Sequence, residues 1–376
     1  MAYVAVKGGS AAIEKSIENL KYKRVQNGDS VDIHQLQHGM RGLIDSVMSE
    51  SALYSPELAA IAIKQAEGSL EEAVFLIRAF RTTLPRKHYS RVIDGANMHV
   101  QRRISACFKD IHGGQILGAT YDYTHRLLDF SLIEENSATV THWLNEFHKE
   151  LQTTIAQDKT IYSLSRLPKV TDYLRQEGLI PSYADNNDEP IDITKKNLQF
   201  PSKRCERLQI LTRGQTASVI SFGYAALRGY GDLHPTVGEL RVGNMDICID
   251  NPSGNGAEDD AYYIGQICMT EVETYIAKPD NKDLTNQHLE LDIGYGACFG
   301  QNESKAIAMS MLDNCLQSDN PQHPTQNEEF VLYHIDSVEA TGFISHLKLP
   351  HYVTFQSKLD SIRKTRTEEN KNKNEI

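Results

Sequence analysis

Leu289-Glu290-Leu291-Asp292-Ile293-Gly294-Tyr295-Gly296-Ala297-Cys298-Phe299 carries an apolar or aromatic side chain at every second position. A period of two puts Leu289, Leu291, Ile293, Tyr295, Ala297 and Phe299 on one side of an extended chain, which predicts a half-buried β-strand. Gly294, Gly296 and Gly300 lack the spacing of a dinucleotide-binding GxGxxG, and no βαβ pattern surrounds them. Residues 216–224 and 262–270 read as further strands, and Asn251-Pro252-Ser253-Gly254-Asn255-Gly256 between them reads as a turn. Beyond the opening stretch, Ala308, Met311, Leu312 and Cys315 share one face of a helix over 303–316.

Toward the N-terminus the period changes to that of helices. Leu36, Met40, Leu43, Ile44 and Val47 fall at i, i+4, i+7, i+8 and i+11, one face of a single amphipathic helix. Ser55-Pro56-Glu57 starts the next one, with Ser as cap, Pro in the first turn and Glu at the positive dipole end. Gly68 ends it, Ser69-Leu70-Glu71-Glu72 opens another as a capping box, and Ala73, Leu76, Ile77 and Phe80 form its stripe. Thr124 caps a short helix that contains Arg126 and Leu127. Helices and strands are segregated along the chain, so the class is α+β, mainly helical in the N-terminal part with an antiparallel sheet in the C-terminal part. Four regions follow: a mainly helical 1–130 after a short opening strand, a polar excursion or linker over 131–200, an α+β region over 201–363, and a charged tail over 364–376 that reads as disordered.

Composition narrows the function. The chain has 376 residues, and its net charge of −11 argues against broad nucleic-acid binding. No run is long and apolar enough for a membrane span and the first residues lack a secretory pattern, which predicts a cytoplasmic protein. The six cysteines form no CxxC, so they read as small buried hydrophobes. Walker A, HExxH and GxSxG motifs are all missing.

Three constellations remain. Arg102, Arg103, Lys109 and Arg126 alternate with His112-Gly113-Gly114-Gln115 and Asp122-Tyr123-Thr124-His125. Glycine pairs admit close backbone approach to an anion, and arginine binds two phosphate oxygens at once. The plainer reading is a turn beside a solvated basic face. Lys203, Arg204, Arg207 and Arg213 form a second cluster, whose plainer reading is an exposed helix face. It is followed by Arg228-Gly229-Tyr230-Gly231-Asp232-Leu233-His234-Pro235 and Glu239-Leu240-Arg241. The third is Ser345 through His351, where His346 and His351 flank Pro350. Two imidazoles on a turn suit zinc, but a site needs three or four ligands.

These segments, with Phe75 through Leu84, Tyr121 through Phe130, Glu328 through Leu332 and Ser345 through Tyr352, resemble the I-subunit family of the bacterial carbon–phosphorus lyase core complex. The resemblance spans most of the chain and fades over 131–200, 251–290 and the tail. It implies a subunit that works with G, H and J subunits and an accessory L subunit in phosphonate catabolism. The implied reaction replaces the adenine of MgATP with methylphosphonate, giving α-D-ribose 1-methylphosphonate 5-triphosphate. It also implies that His346 and His351 are zinc ligands at the contact with the J subunit, and that Mg²⁺ enters with ATP.

Breaking an N-glycosidic bond builds oxocarbenium character on the ribose. Within the matched motifs, Asp122, Asp232 and Glu239 are the candidate carboxylates. Arg102, Arg103, Lys109, Arg126, Arg228 and Arg241 are the candidates for triphosphate and phosphonate. All of them are expected in one pocket. A non-catalytic scaffold subunit and a self-contained zinc hydrolase stay open as alternatives.

Overall fold

The computed structural model describes residues 7–157, 167–180, 189–229, 235–254, 259–279, 289–318, 320–349 and 351–374. In chain order its helices are α1 Gly9–Val25, α2 Ile33–Gly39, α3 Arg41–Ser51, α4 Pro56–Gln65, α5 Leu70–Thr82, α6 Ser137–Gln157, α7 Val170–Gln176, α8 Arg204–Arg213, α9 Thr216–Tyr224, α10 Glu303–Cys315, α11 Glu328–His334, α12 Ser337–Ser345 and α13 Tyr352–Asn374. The strands are β1 His99–Ser105, β2 Thr236–Asp250, β3 Ala261–Pro279 and β4 Leu289–Phe299, all antiparallel in the order β1-β2-β3-β4. The class is α+β, with helices on both sides of one sheet in sequence. No helix among the described residues is long and apolar enough to cross a membrane.

β4 is the predicted strand, but it is covered on both faces rather than half-buried. Ile293 packs with Tyr275 and Ile180 on one side, and Cys298 joins the main core on the other. Gly294 and Gly296 lie under α10. A Cβ at Gly294 would stand 1.9 Å from the Ser310 carbonyl oxygen, and one at Gly296 would stand 2.1 Å from that of Ala306. Their work is therefore to let a helix backbone lie on the sheet, not to cradle a ligand. The helix face of the sheet is filled by Leu240, Val242 and Val272 against Ala306, Met309 and Leu312 of α10, Leu211 of α8 and Val219 of α9. α3, α4 and α5 form a second core around Val47, Ile63, Ala73 and Ile77.

The N-terminal cap signals read from sequence are realised, the Ser69 capping box by its serine half only, since Ser69 N donates to the Ala66 carbonyl. The Ser55 hydroxyl accepts from Leu58 N at 3.3 Å with Pro56 in the first turn, and Gly68 closes α4 with φ +87°. The Ser69 hydroxyl accepts from Glu72 N.

Several expectations fail, each for a local reason. The helix expected through Leu36–Val47 breaks at Met40 (φ −114°, ψ 45°), so α3 begins afresh at Arg41. Residues 216–224 form α9 and not a strand. Val219 is buried in the core, and Gly223 lets α9 press on Ala308, where a Cβ would come within 2.8 Å. Tertiary packing overrides the β-branched composition there. The helical reading of 1–130 missed β1, whose apolar pattern is masked by the buried Arg102 and Arg103. Thr124 starts no helix, because Arg126 adopts a left-handed backbone (φ 56°). The excursion over 131–200 contains the exposed 21-residue α6. The tail from Lys364 continues α13 as far as Asn374, assisted by exposed charge pairs such as Arg363–Asp360. The expected opening strand lies outside the described residues, apart from Lys7.

Candidate functional site

The first turns of three helices line one cleft of about 280 Å³. α3 contributes Arg41 and Gly42, α9 contributes Thr216, and α10 contributes Glu303, Ser304 and Lys305 behind Gln301 and Asn302. The loop residues Thr120, Tyr121, Asp122 and Arg126 close it. Neither α3 nor α10 has a side-chain N-cap. Their first N–H groups and dipole ends therefore face the cleft without a local acceptor, which favours an anion. The start of α9 differs, because buried Glu50 accepts from Thr216 N (2.9 Å) and Oγ1 (2.8 Å). The Lys305 ammonium turns inward to Ser49 Oγ (3.0 Å) and the Thr212 carbonyl (2.7 Å), and burial pushes it down to about 8.

Behind the wall, Arg102 gathers two carboxylates. Its guanidinium stands 2.6 Å from Asp122 Oδ2 and 2.9 Å from Glu303 Oε1, and it also donates to the Leu117 carbonyl. Arg126 lies 3.9 Å from Asp122 and donates from Nε to the Tyr121 carbonyl at 3.1 Å, with most of its side chain exposed. Gly118, at φ +61°, lets this loop run over β1, where a Cβ would meet the Gln101 carbonyl at 2.8 Å. Gln301 ties the loop to the helix by donating to the Ala119 carbonyl at 2.9 Å and to Glu303 at 2.7 Å.

The expected single pocket is divided by the sheet. Arg102 and Arg103 are neighbours on β1, so they point to opposite faces. Arg103 joins Glu239 and Arg241 beneath the segment 167–180, away from the cleft. There Lys169 bonds Glu271 (2.7 Å), Arg175 bonds Glu273 (2.7 Å), and Val170 N donates to Glu239 Oε2 (2.8 Å). The His112-Gly113-Gly114-Gln115 run serves β1 rather than a ligand. The carbonyls of His112 and Gly114 accept from Arg103, and the Gln115 amide pairs with both backbone groups of Ser105. Lys109 is exposed and absent from the cleft lining. Arg228 ends the turn after α9 and is also exposed. Asp232 and His234 lie outside the described residues. Of the 203–213 cations, Arg204 pairs with the fully buried Asp313 at 2.6 Å, and Arg207 donates to the Ser202 carbonyl at 2.6 Å beside Glu328. Sequence reasoning missed Arg41, at a helix start it had run through, and Gln301, Glu303 and Ser304, at the start of a helix it placed over 303–316 but read only for its apolar face.

His346 and His351 do come together, with ring centroids 5.5 Å apart and edge-on. The His346 Nδ1 lies against the Phe343 carbonyl, which leaves Nε2 as its free ligand atom. Among the described residues no group of three or more His, Cys, Asp or Glu is placed to hold a metal. The pair by itself offers at most two candidate ligands, fewer than a zinc site needs.

Burial pushes the Glu239 carboxyl up to about 7, against the attraction of Arg241 and the bond from Val170 N. The folded state then holds a proton that the unfolded chain, at about 4.5, has released. Its contribution to stability is most favourable below pH 4.5 and is lost as pH rises through 7, by about 3 kcal/mol in all. Glu239→Gln should match the wild type near pH 4.5 and exceed it above pH 7 in urea unfolding. An unchanged pH slope in the variant would assign the effect to another group.

The matching family model is described as bacterial phosphonate metabolism protein (PhnI) and covers residues 2–369. A putative C-P lyase subunit protein, HtxH, of Stutzerimonas stutzeri is 41% identical over 97% of this chain and 96% of its own. The α-D-ribose 1-methylphosphonate 5-triphosphate synthase subunit PhnI of Escherichia coli K12 is 40% identical over 98% of this chain and 99% of its own. Its counterpart from Rhizobium meliloti 1021 is 39% identical over 97% and 95%. The chain belongs to the PhnI family of bacterial phosphonate metabolism proteins.

Proposed function

We propose that the chain is the subunit of an α-D-ribose 1-methylphosphonate 5-triphosphate synthase that binds MgATP and exchanges its adenine for methylphosphonate. One observation carries the placement of the nucleotide: two uncapped helix N-termini, with Arg41 and Arg126 beside them, face one cleft. A triphosphate is the ligand that such a set of N–H groups, dipoles and cations suits. Asp122 and Glu303, both held by Arg102, stand at its wall. They are the groups available to take the Mg²⁺ of the substrate or to face the ribosyl cation as adenine leaves. A phosphonate is already anionic, so positioning opposite the base is the main demand, and attack there inverts the β-nucleotide to the α product.

Glu239 takes no part in this reading, because it lies on the other face of the sheet. The G, H, J and L subunits are the proposed partners in a cytoplasmic complex. His346 and His351 are the proposed half of a zinc site completed by J, which would fix that contact and would not drive the ribosyl chemistry. Purified chain incubated with GTP is expected to release guanine. Arg126→Ala should lower kcat/KM for that release roughly 10- to 100-fold, the loss of a charged contact of about 1.5–3 kcal/mol, mostly through KM. A folded chain that releases no guanine, alone or with its partners, would leave the scaffold reading standing.

A further inference from the structure

Arg103 and Arg241 stand directly opposite one another across β1 and β2, and each is 1% exposed. Like charges so placed repel. Arg103 is relieved by the carbonyls of His112 and Gly114. Arg241 has no such relief: its Nε and both terminal nitrogens are buried without a hydrogen-bond partner, and the Glu271 carboxylate is 4.0 Å away. The oxygen nearest Arg241 is Glu271 Oε2, too distant to bond it, while Glu271 Oε1 is held by Lys169 at 2.7 Å and by the Tyr295 hydroxyl at 3.0 Å. Lys169 and Arg175 answer Glu271 and Glu273. The two guanidinia then face Glu239, whose Oε1 also lacks a partner, and Arg241 has besides it only the distant Oε2 of Glu271.

A buried guanidinium with all its donors unmet is costly, and folded chains keep one where something outside the chain meets it. Water can meet a donor but does not answer the charge of two opposed arginines. We propose that this covered face of the sheet, between Arg241 and Arg103, binds a small tetrahedral oxyanion of the phosphate or phosphonate class, separately from the cleft. The planar fork of Arg241 suits two oxygens of such an anion. A third oxygen can take a hydrogen bond from the protonated Glu239 carboxyl. The sheet separates this position from the cleft, so its occupant completes the charge balance of β1–β2 and does not meet the sugar. The inference does not depend on the nucleotide reading.

The test uses the full chain in phosphate-free buffer, followed by thermal unfolding and ³¹P NMR titration with inorganic phosphate and with methylphosphonate, chloride serving as the ionic-strength control. A saturable rise in Tm with either phosphorus anion is expected, and the anion that produces it identifies the source. Arg241→Gln made in the Arg126→Ala background should abolish the rise that Arg126→Ala alone, altered only in the cleft, retains. Should Arg241→Gln fold poorly, Arg103→Lys in the same background provides a second reading, with affinity at least tenfold weaker. The proposal is overturned if the wild type shows no rise beyond that in chloride, if Arg241→Gln in the Arg126→Ala background shows the same rise, or if Arg126→Ala alone abolishes it.

Discussion

Gly296→Val is expected to destabilise the fold by about 3–5 kcal/mol and to abolish purine release even where the chain stays folded. The Cβ alone would sit 2.1 Å from the Ala306 carbonyl oxygen and 3.0 Å from Met309 Cβ. Neither neighbour can step aside, since one is helix backbone and the other is a fully buried side chain in the core. α10 must lift or slide, and the first turn of that helix is the floor of the cleft. The loss of stability and the loss of the site thus have one cause. Urea unfolding gives the first and guanine release from GTP the second. Gly342→Ala is the control, for a Cβ there meets nothing within 4 Å and a helical glycine is replaced, so a small gain is expected. Wild-type stability in Gly296→Val would refute the close approach of α10 to β4.

The same strand shows how far the sequence could be read. Alternation identified β4, and the segregation of periods identified the class, because both depend on side-chain patterns local to a few turns. Cap signals at Ser55 and Ser69 were legible for the same reason. The site was not, since it is built where local rules are broken. The apolar stripe runs unbroken through Met40, yet the chain breaks there and so presents the α3 N-terminus to the cleft. Arg102 and Arg103 look like one basic pair in sequence. The strand turns them to opposite sides, one to carboxylates and one to carbonyls. Buried arginines also hid β1, since a strand with two adjacent cations carries no apolar period. The long motifs that pointed to the family thus mix residues of the cleft, residues of the covered face, and glycines that serve only packing.

Arg102→Met tests the cleft most severely. The side chain is nearly fully buried, with Glu303 16% and Asp122 50% exposed at its ends. Methionine fills much of the volume but leaves two carboxylates without their cation. Asp122 can turn to water and Glu303 only in part, so the cost to folding should stay near 2–3 kcal/mol, below that of breaking a fully buried pair. Binding should suffer more. Two unanswered carboxylates at the wall oppose Arg41 and Arg126, and a polyanion that met a positive cleft meets a neutral one. A loss of affinity for MgATP of about 100-fold is expected, measured by calorimetry at low ionic strength, and it should shrink as salt rises. Asp122→Asn with Glu303→Gln added to Arg102→Met separates two roles. If Arg102 acts by neutralising and positioning the carboxylates, the triple variant recovers stability and part of the affinity. If it touches the phosphates itself, stability returns and affinity does not. Wild-type affinity in Arg102→Met would show that the nucleotide binds elsewhere.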